Sequence, residues 1–151
     1  MLQRTEDTSQ GKRVFLLNSE QIDHFWPDIH RVLVSCPGYY EFYTPEWTYQ
    51  RAKTGDLQIW ALSEDQIKGI VVSQVVVFPV QKVFEILGAG GSGLLDFFDE
   101  LEEIFEFIAA DCDCGMISAR VRPGVERLLR KKGTIRMATW LYRPVGSSRR
   151  H

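Results

Sequence analysis

Four glycines fall within six residues at Gly88-Ala89-Gly90-Gly91-Ser92-Gly93. Glycine takes positive φ without steric cost, so such a run can turn several backbone N–H groups toward one concavity. The strongly amphipathic stretch that follows reads as a helix, whose start adds about half a positive charge. The junction therefore suits an anion such as a phosphate, the alternative being a tight strand-to-helix turn that holds nothing. No Gly-Lys-Ser/Thr follows, so this is not a Walker loop. Nor does a βαβ repeat begin here, which sets aside a dinucleotide fingerprint. Asp96 and Asp99 favour the helix start but repel a bound pyrophosphate.

Cys112-x-Cys114 has no second cysteine pair, and His24, His30 and His151 lie far from it in the chain. A tetrahedral zinc site takes about four ligands, so no metal is expected. Cys36, Cys112 and Cys114 read as inert or half-buried thiols. The run Tyr39-Tyr40-Glu41-Phe42-Tyr43 with Trp47 offers rings for a substrate pocket or a protein interface, or else a loop held on the core by its aromatics.

The elements that position these residues follow from period and punctuation. Residues 1–12 are polar and expected to be flexible. Val14-Phe15-Leu16-Leu17 suits a strand. Asn18 and Gln21 form a capping-box pattern that opens a helix through Ile22, Phe25, Ile29 and Leu33, with Pro27 a potential kink. Pro37-Gly38 ends it. Thr44-Pro45 starts a shorter helix through Trp47 and Ala52, stopped by Thr54-Gly55-Asp56. Leu57–Leu62, Ile67–Phe78 and Lys82–Leu87 read as three strands of an antiparallel meander. The long helix from about Leu94 to Ala110 carries Leu94, Phe97, Phe98, Leu101, Ile104, Phe105 and Ile108 on one stripe. A strand at Met116–Val121, a helix at Pro123–Lys132 and a strand at Ile135–Tyr142 complete the order β-α-α-β-β-β-α-β-α-β. One domain over residues 13–145 is expected, with 146–151 a flexible basic tail.

The 151 residues carry a net charge of −2, 44% hydrophobic residues and three cysteines. That length supports one core. No apolar run approaches the roughly 18 residues of a membrane span, and Met1–Lys12 is too polar for a signal peptide. An odd cysteine count without such a signal reads as reduced thiols of an intracellular protein. The small net charge hides a polarised chain. Phe84–Asp113 holds nine acids and no Lys or Arg, whereas Cys114–His151 holds ten bases and Glu126 as its one acid. Such blocks suggest solvated faces or contacts between copies of the chain, and nucleic-acid binding is unlikely on this balance.

The element order together with the glycine run resembles the GNAT N-acetyltransferases over roughly Val14–Val145. Their acyl-CoA pyrophosphate loop, Gln/Arg-x-x-Gly-x-Gly/Ala, is matched in part by Glu85-Ile86-Leu87-Gly88-Ala89-Gly90, with Glu85 at the Gln/Arg position. The resemblance implies a mostly antiparallel mixed α/β sheet flanked by helices, acetyl-CoA as cofactor and an amine acceptor. It implies that Gly88, Ala89, Gly90, Gly91, Ser92 and Gly93 hold the pyrophosphate. The pantetheine arm would then lie between Ile86-Leu87 and Met116-Ile117. Glu85 is the candidate general base, with a strand carboxylate paired to Lys82 or Lys68 as the alternative. Tyr142 is a candidate phenol near the cleft. The family's Asn and general-acid Tyr positions are filled by Arg122 and Leu129, and one closing strand stands where the family usually has two. The compact loop, acidic helix and single closing strand are also similar to small acetyltransferase-like proteins of tailed bacteriophages, some of them virion components. The resemblance thus implies either a cytoplasmic enzyme or an inactive virion or assembly protein acting through protein contacts.

Overall fold

A computed structural model describes residues 5–7, 13–36, 38–92, 94–121, 123–130, 133–134 and 143–146. The chain divides into two compact units, residues 1–120 and 121–151.

The first unit is a six-stranded sheet in the order β1-β2-β3-β4-β5-β6, which is also the chain order. Its strands are β1 (Thr5–Asp7), β2 (Arg13–Leu16), β3 (Gln58–Glu64), β4 (Gln66–Val77), β5 (Lys82–Gly91) and β6 (Met116–Ala119). All neighbours pair antiparallel except β5 and β6, which are parallel. Helices α1 (Ser19–Val34), α2 (Tyr39–Phe42) and α3 (Pro45–Thr54) lie between β2 and β3 in sequence, and α4 (Phe98–Asp111) lies between β5 and β6. The architecture is the mixed, mostly antiparallel α/β fold that the element order implies.

Alternation along the central strands splits the core in two. Ile59, Ala61, Ile70 and Val72 pack with Ile22, Ile29, Val32 and Leu33 of α1 and Ala52 of α3. Trp60, Leu62, Val71 and Phe84 pack with Leu101, Ile104, Phe105 and Ile108 of α4. Successive side chains of a strand point to opposite faces, so helices cover both sides of the sheet. A polar relay between β3 and β4 satisfies itself: the Trp60 indole donates to Ser73 Oγ, which donates to Gln58 Oε1, both at 3.0 Å.

Local signals set most boundaries. The Asn18–Gln21 capping box is complete, with each side chain bonded to the other's backbone N–H at 2.9 Å. Thr44 caps α3 through Trp47 N–H, and Gly55 closes it at φ +88°. Pro27 does not split α1, which stays helical through it. The segment before residue 13, expected to be flexible, supplies β1, paired antiparallel with β2. A turn of 3-10 helix, Leu95–Phe97, precedes α4.

The largest difference concerns the glycines. Gly88–Gly91, expected in a loop, are strand residues of β5, paired with Val72, Val71, Ile70 and Gly69 of β4. A Cβ on Gly88 would lie 2.8 Å from the Tyr39 ring, and one on Gly90 would lie 3.4 Å from Cys36 Cβ. Gly91 has φ +111°, and a Cβ there would sit 2.2 Å from the Lys68 carbonyl oxygen. Two of these glycines therefore admit the end of α1 and the start of α2 against the sheet, and the third ends the strand.

The second unit contains α5 (Pro123–Arg130), which starts on proline and closes at Gly133, φ +94°. Arg130 pairs with Glu126 at 3.6 Å across one turn. The closing strand expected at Ile135–Tyr142 lies outside the described residues, as do Arg122 and the basic residues Arg149 and Arg150.

Candidate functional site

The parallel pairing of β5 with β6 runs from Val83–Met116 to Ile86–Ala119 and stops. β5 continues to Gly91, so from Leu87 onward its far edge has no strand partner among the described residues. A bulge marks the place: Val72 pairs with Gly88 and Ser73 with Ile86, leaving Leu87 as the extra residue. Bulges bend a strand and increase its twist, which parts it from its neighbour. Ile86 to Gly90 all stay half-buried although β5 is an inner strand.

Phe84 belongs to the core beneath α4, so alternation puts Glu85 on the opposite face, toward α1–α3. Its Oε1 accepts a 2.8 Å bond from Gln74 Nε2, directly across the β4–β5 ladder. Gln74, rather than Lys82 or Lys68, is therefore its partner. Ser118 pairs with Glu85 in β6, and Arg120 follows two residues later on the same face by alternation.

Arg120 then meets the aromatic cluster, its Nη2 donating to the Tyr43 hydroxyl at 3.3 Å. Tyr43 stacks on Trp47 at 4.8 Å between centroids and 18° between planes, and it contacts Tyr39 at 4.9 Å. Tyr39 is the buried anchor of the group, with its hydroxyl 2.9 Å from Thr48 Oγ1. Burial pushes the Tyr39 phenol far above its ordinary range. Tyr40 bonds to His30 Nδ1 at 3.1 Å and is also raised, by burial and then by Glu46. The rings thus divide their labour: Tyr39 holds the α2 segment on Gly88, whereas Tyr43, Trp47 and the exposed Phe42 line an open depression of about 310 Å³ with Thr44. The line Gly88–Tyr39–Tyr43–Arg120 runs from the open edge of β5 to the residue after β6.

Past Gly91, Ser92 donates its N–H to the Lys68 carbonyl at 3.0 Å, which removes that donor from any anion site. The 3-10 turn has no side-chain cap, and Asp96, Asp99 and Glu100 occupy the first turns. Gly93 and Tyr142 lie outside the described residues. Among the described residues, no three His, Cys, Asp or Glu side chains gather where a metal could be held. Cys36 is buried, and its thiol donates to the Ala89 carbonyl at 3.3 Å; Cys112 and Cys114 are half-buried, and burial raises the Cys114 thiol. No helix is long and apolar enough to cross a membrane among the described residues.

Sequence reasoning named Glu85 and the aromatic run as candidates and did not name Arg120, whose signal is its place two residues after Ser118, just past the strand that faces Glu85.

The chain matches no protein-family model and no curated protein. Solved structures do resemble it. A predicted acetyltransferase with acetyl-CoA from Clostridium acetobutylicum superposes with TM-score 0.64 at 13% identity, covering 88% of this chain and 96% of that one. An aminoglycoside acetyltransferase from an uncultured soil metagenomic sample, in complex with sisomicin, gives 0.63 at 9% identity over 89% and 96%. Glucosamine-6-phosphate N-acetyltransferase from Arabidopsis thaliana gives 0.59 at 10% identity over 88% and 97%. The chain has the GNAT-like fold of these acetyltransferases.

Proposed function

We propose that this chain is an N-acetyltransferase that takes its acyl group from acetyl-CoA and passes it to an amine. The observation that carries the reading is the parting of β5 from β6 after Ile86–Ala119, in a fold shared with acetyltransferases. An extended, amide-bearing chain binds an open strand edge as an added strand would. The edge from Leu87 to Gly91 offers such a place for the pantetheine arm. The pyrophosphate would sit at the start of the 3-10 segment Leu95–Phe97, where the first N–H groups of a helix lack intrahelical partners.

Bound acetyl-CoA supplies an activated thioester. The chain's own groups do the rest. Glu85 is placed on the face toward α1–α3 to take the proton that the attacking amine loses, with Gln74 orienting one carboxylate oxygen. Tyr43 and Arg120 line the same side of the parting and orient the acceptor. Tyr142 remains a candidate phenol near the cleft. The reaction is tested by following thiol release from acetyl-CoA with a panel of amines. Glu85→Gln should lower kcat by about 100-fold. An unchanged rate would overturn the role of Glu85.

A second reading is a fold-retaining but inactive protein, such as a bacteriophage virion or assembly component. Two observations favour it: the acids Asp96, Asp99 and Glu100 at the pyrophosphate end, and the exposed apolar turn Val77, Phe78 and Val80 between β4 and β5. Homo-oligomer or virion contacts would then be the function, inside the host cytoplasm or the particle. Mass spectrometry of purified virions tests it.

A further inference from the structure

The depression beside the parting of β5 and β6 has a composition that selects among amines. Its lining is Phe42, Tyr43, Thr44 and Trp47, three rings and two hydroxyls with no carboxylate among the described residues. Two guanidinium groups flank it. Arg51 lies over the Trp47 ring, with Cζ 5.2 Å from the centroid, and Arg120 donates to Tyr43. The acids nearest in sequence do not contribute to the lining: Glu41 is exposed on α2, and Glu46 acts on Tyr40 at the His30 side of the cluster.

A polyamine or aminosugar with several positive charges is ordinarily held by carboxylates, and here it would meet guanidinium groups instead. A flat apolar body gains from burying against rings, and aromatic pairs add about 0.5–1.5 kcal/mol beyond the buried area. Phe42, 58% exposed, adds ring surface to this lining. Tyr43 joins the depression to Arg120, the residue that follows the end of the β5–β6 pairing, on the face that carries Glu85.

We propose that the acceptor is a small aromatic monoamine, with its ring against Phe42, Tyr43 and Trp47 and its amine directed at the thioester. This rests on the acetyltransferase reading above. The amine nitrogen attacks the thioester carbonyl carbon, an N–C bond forms and the C–S bond breaks. The nitrogen gives one proton to Glu85, the sulfur takes one and leaves as the free thiol, and the product is the N-acetyl amine.

The test compares tyramine and 2-phenylethylamine with spermidine and kanamycin as acceptors, read as free thiol and as acetylated product by mass spectrometry. Tyramine is expected to show kcat/KM at least about tenfold above spermidine, the ratio that 1.4 kcal/mol produces. Trp47→Ala should raise KM for tyramine by about tenfold with spermidine unmoved, and Trp47→Phe should restore most of it. Phe42→Ser, at an exposed position that leaves folding intact, should act in the same direction. Equal or better use of the polycations overturns the proposal, as does a tyramine KM indifferent to both Trp47→Ala and Phe42→Ser. Binding of acetyl-CoA, measured by calorimetry alongside, separates the failures. Acetyl-CoA bound with no aromatic amine acetylated overturns the acceptor alone, and no acetyl-CoA bound overturns the enzyme reading together with it.

Discussion

Arg120 donates a 3.3 Å hydrogen bond to the hydroxyl of Tyr43, joining the residue after β6 to the turn between α2 and α3. The two are 77 positions apart in sequence, and their contact spans the place where β5 and β6 separate.

Removing it should affect catalysis more than folding. Arg120 is exposed, and an exposed hydrogen bond of this kind contributes about 0.5–1.5 kcal/mol at most. Arg120→Ala and Tyr43→Phe are expected to lower kcat/KM for the preferred acceptor by about tenfold, with a melting temperature within a few degrees of the parent. A double variant no worse than either single one would show that the two residues act as a pair.

The glycines of β5 should differ in what they tolerate. Gly91→Ala places a side chain at φ +111° and 2.2 Å from a carbonyl oxygen, so backbone must move. Strain in the left-handed region alone costs about 1–2 kcal/mol, and the clash adds to it. Gly90→Ala meets Cys36 and Val32 at 3.4–3.5 Å, near ordinary contact, and should cost less than about 1 kcal/mol. Urea denaturation of both variants checks this. Equal stability would contradict the β4–β5 register.

Ser73→Ala should be costly for its size. It leaves the fully buried Trp60 indole N–H without its acceptor, a loss of about 1–3 kcal/mol by chemical denaturation. Ser73→Thr, which keeps the hydroxyl, should recover part of that.

Tyr39 gives a pH signature. Burial raises its phenol, so the folded state holds the proton more tightly than the unfolded chain does. The stabilisation is therefore complete below the unfolded value near pH 10 and is lost as pH rises above it. Ultraviolet titration should show one of the five tyrosines ionising only as the protein unfolds in alkali, and Tyr39→Phe should abolish that late step. A late step that survives Tyr39→Phe would assign it elsewhere.

Charge at the helix start should tune cofactor affinity. Asp96→Asn removes a carboxylate from the turn proposed to receive the pyrophosphate, which should tighten acetyl-CoA binding by about two- to fivefold, less at high salt. Weaker binding would place the pyrophosphate elsewhere.

The parts of the fold visible in the sequence were those set by neighbours a few residues away. Asn18 with Gln21, Thr44 with Pro45, and the period of Leu101, Ile104, Phe105 and Ile108 are local patterns, and the structure realises each. The glycine run misled because a glycine count signals backbone freedom without saying what uses it. At Gly88 and Gly90 the user is α1 and α2 pressing on the sheet through Cys36 and Tyr39, about 50 residues earlier in the chain. The same holds for Arg120 and Tyr43. Each reads locally as a surface residue, and only the sheet order brings them together. Glu85 was legible as a strand carboxylate, but its partner Gln74 depended on the register of the β4–β5 hairpin, which sets Val77 opposite Lys82.

The central claim is that the open edge of β5 holds the pantetheine arm of acetyl-CoA. Calorimetric titration of acetyl-CoA into the full chain, paired with a thermal shift, tests it directly. The account predicts saturable binding of one acetyl-CoA per chain. At a hundred times the dissociation constant, stabilisation should reach about 2.7 kcal/mol. The affinity should fall when Ser92→Glu adds charge at the exposed turn after β5. No heat and no shift at millimolar acetyl-CoA would contradict it.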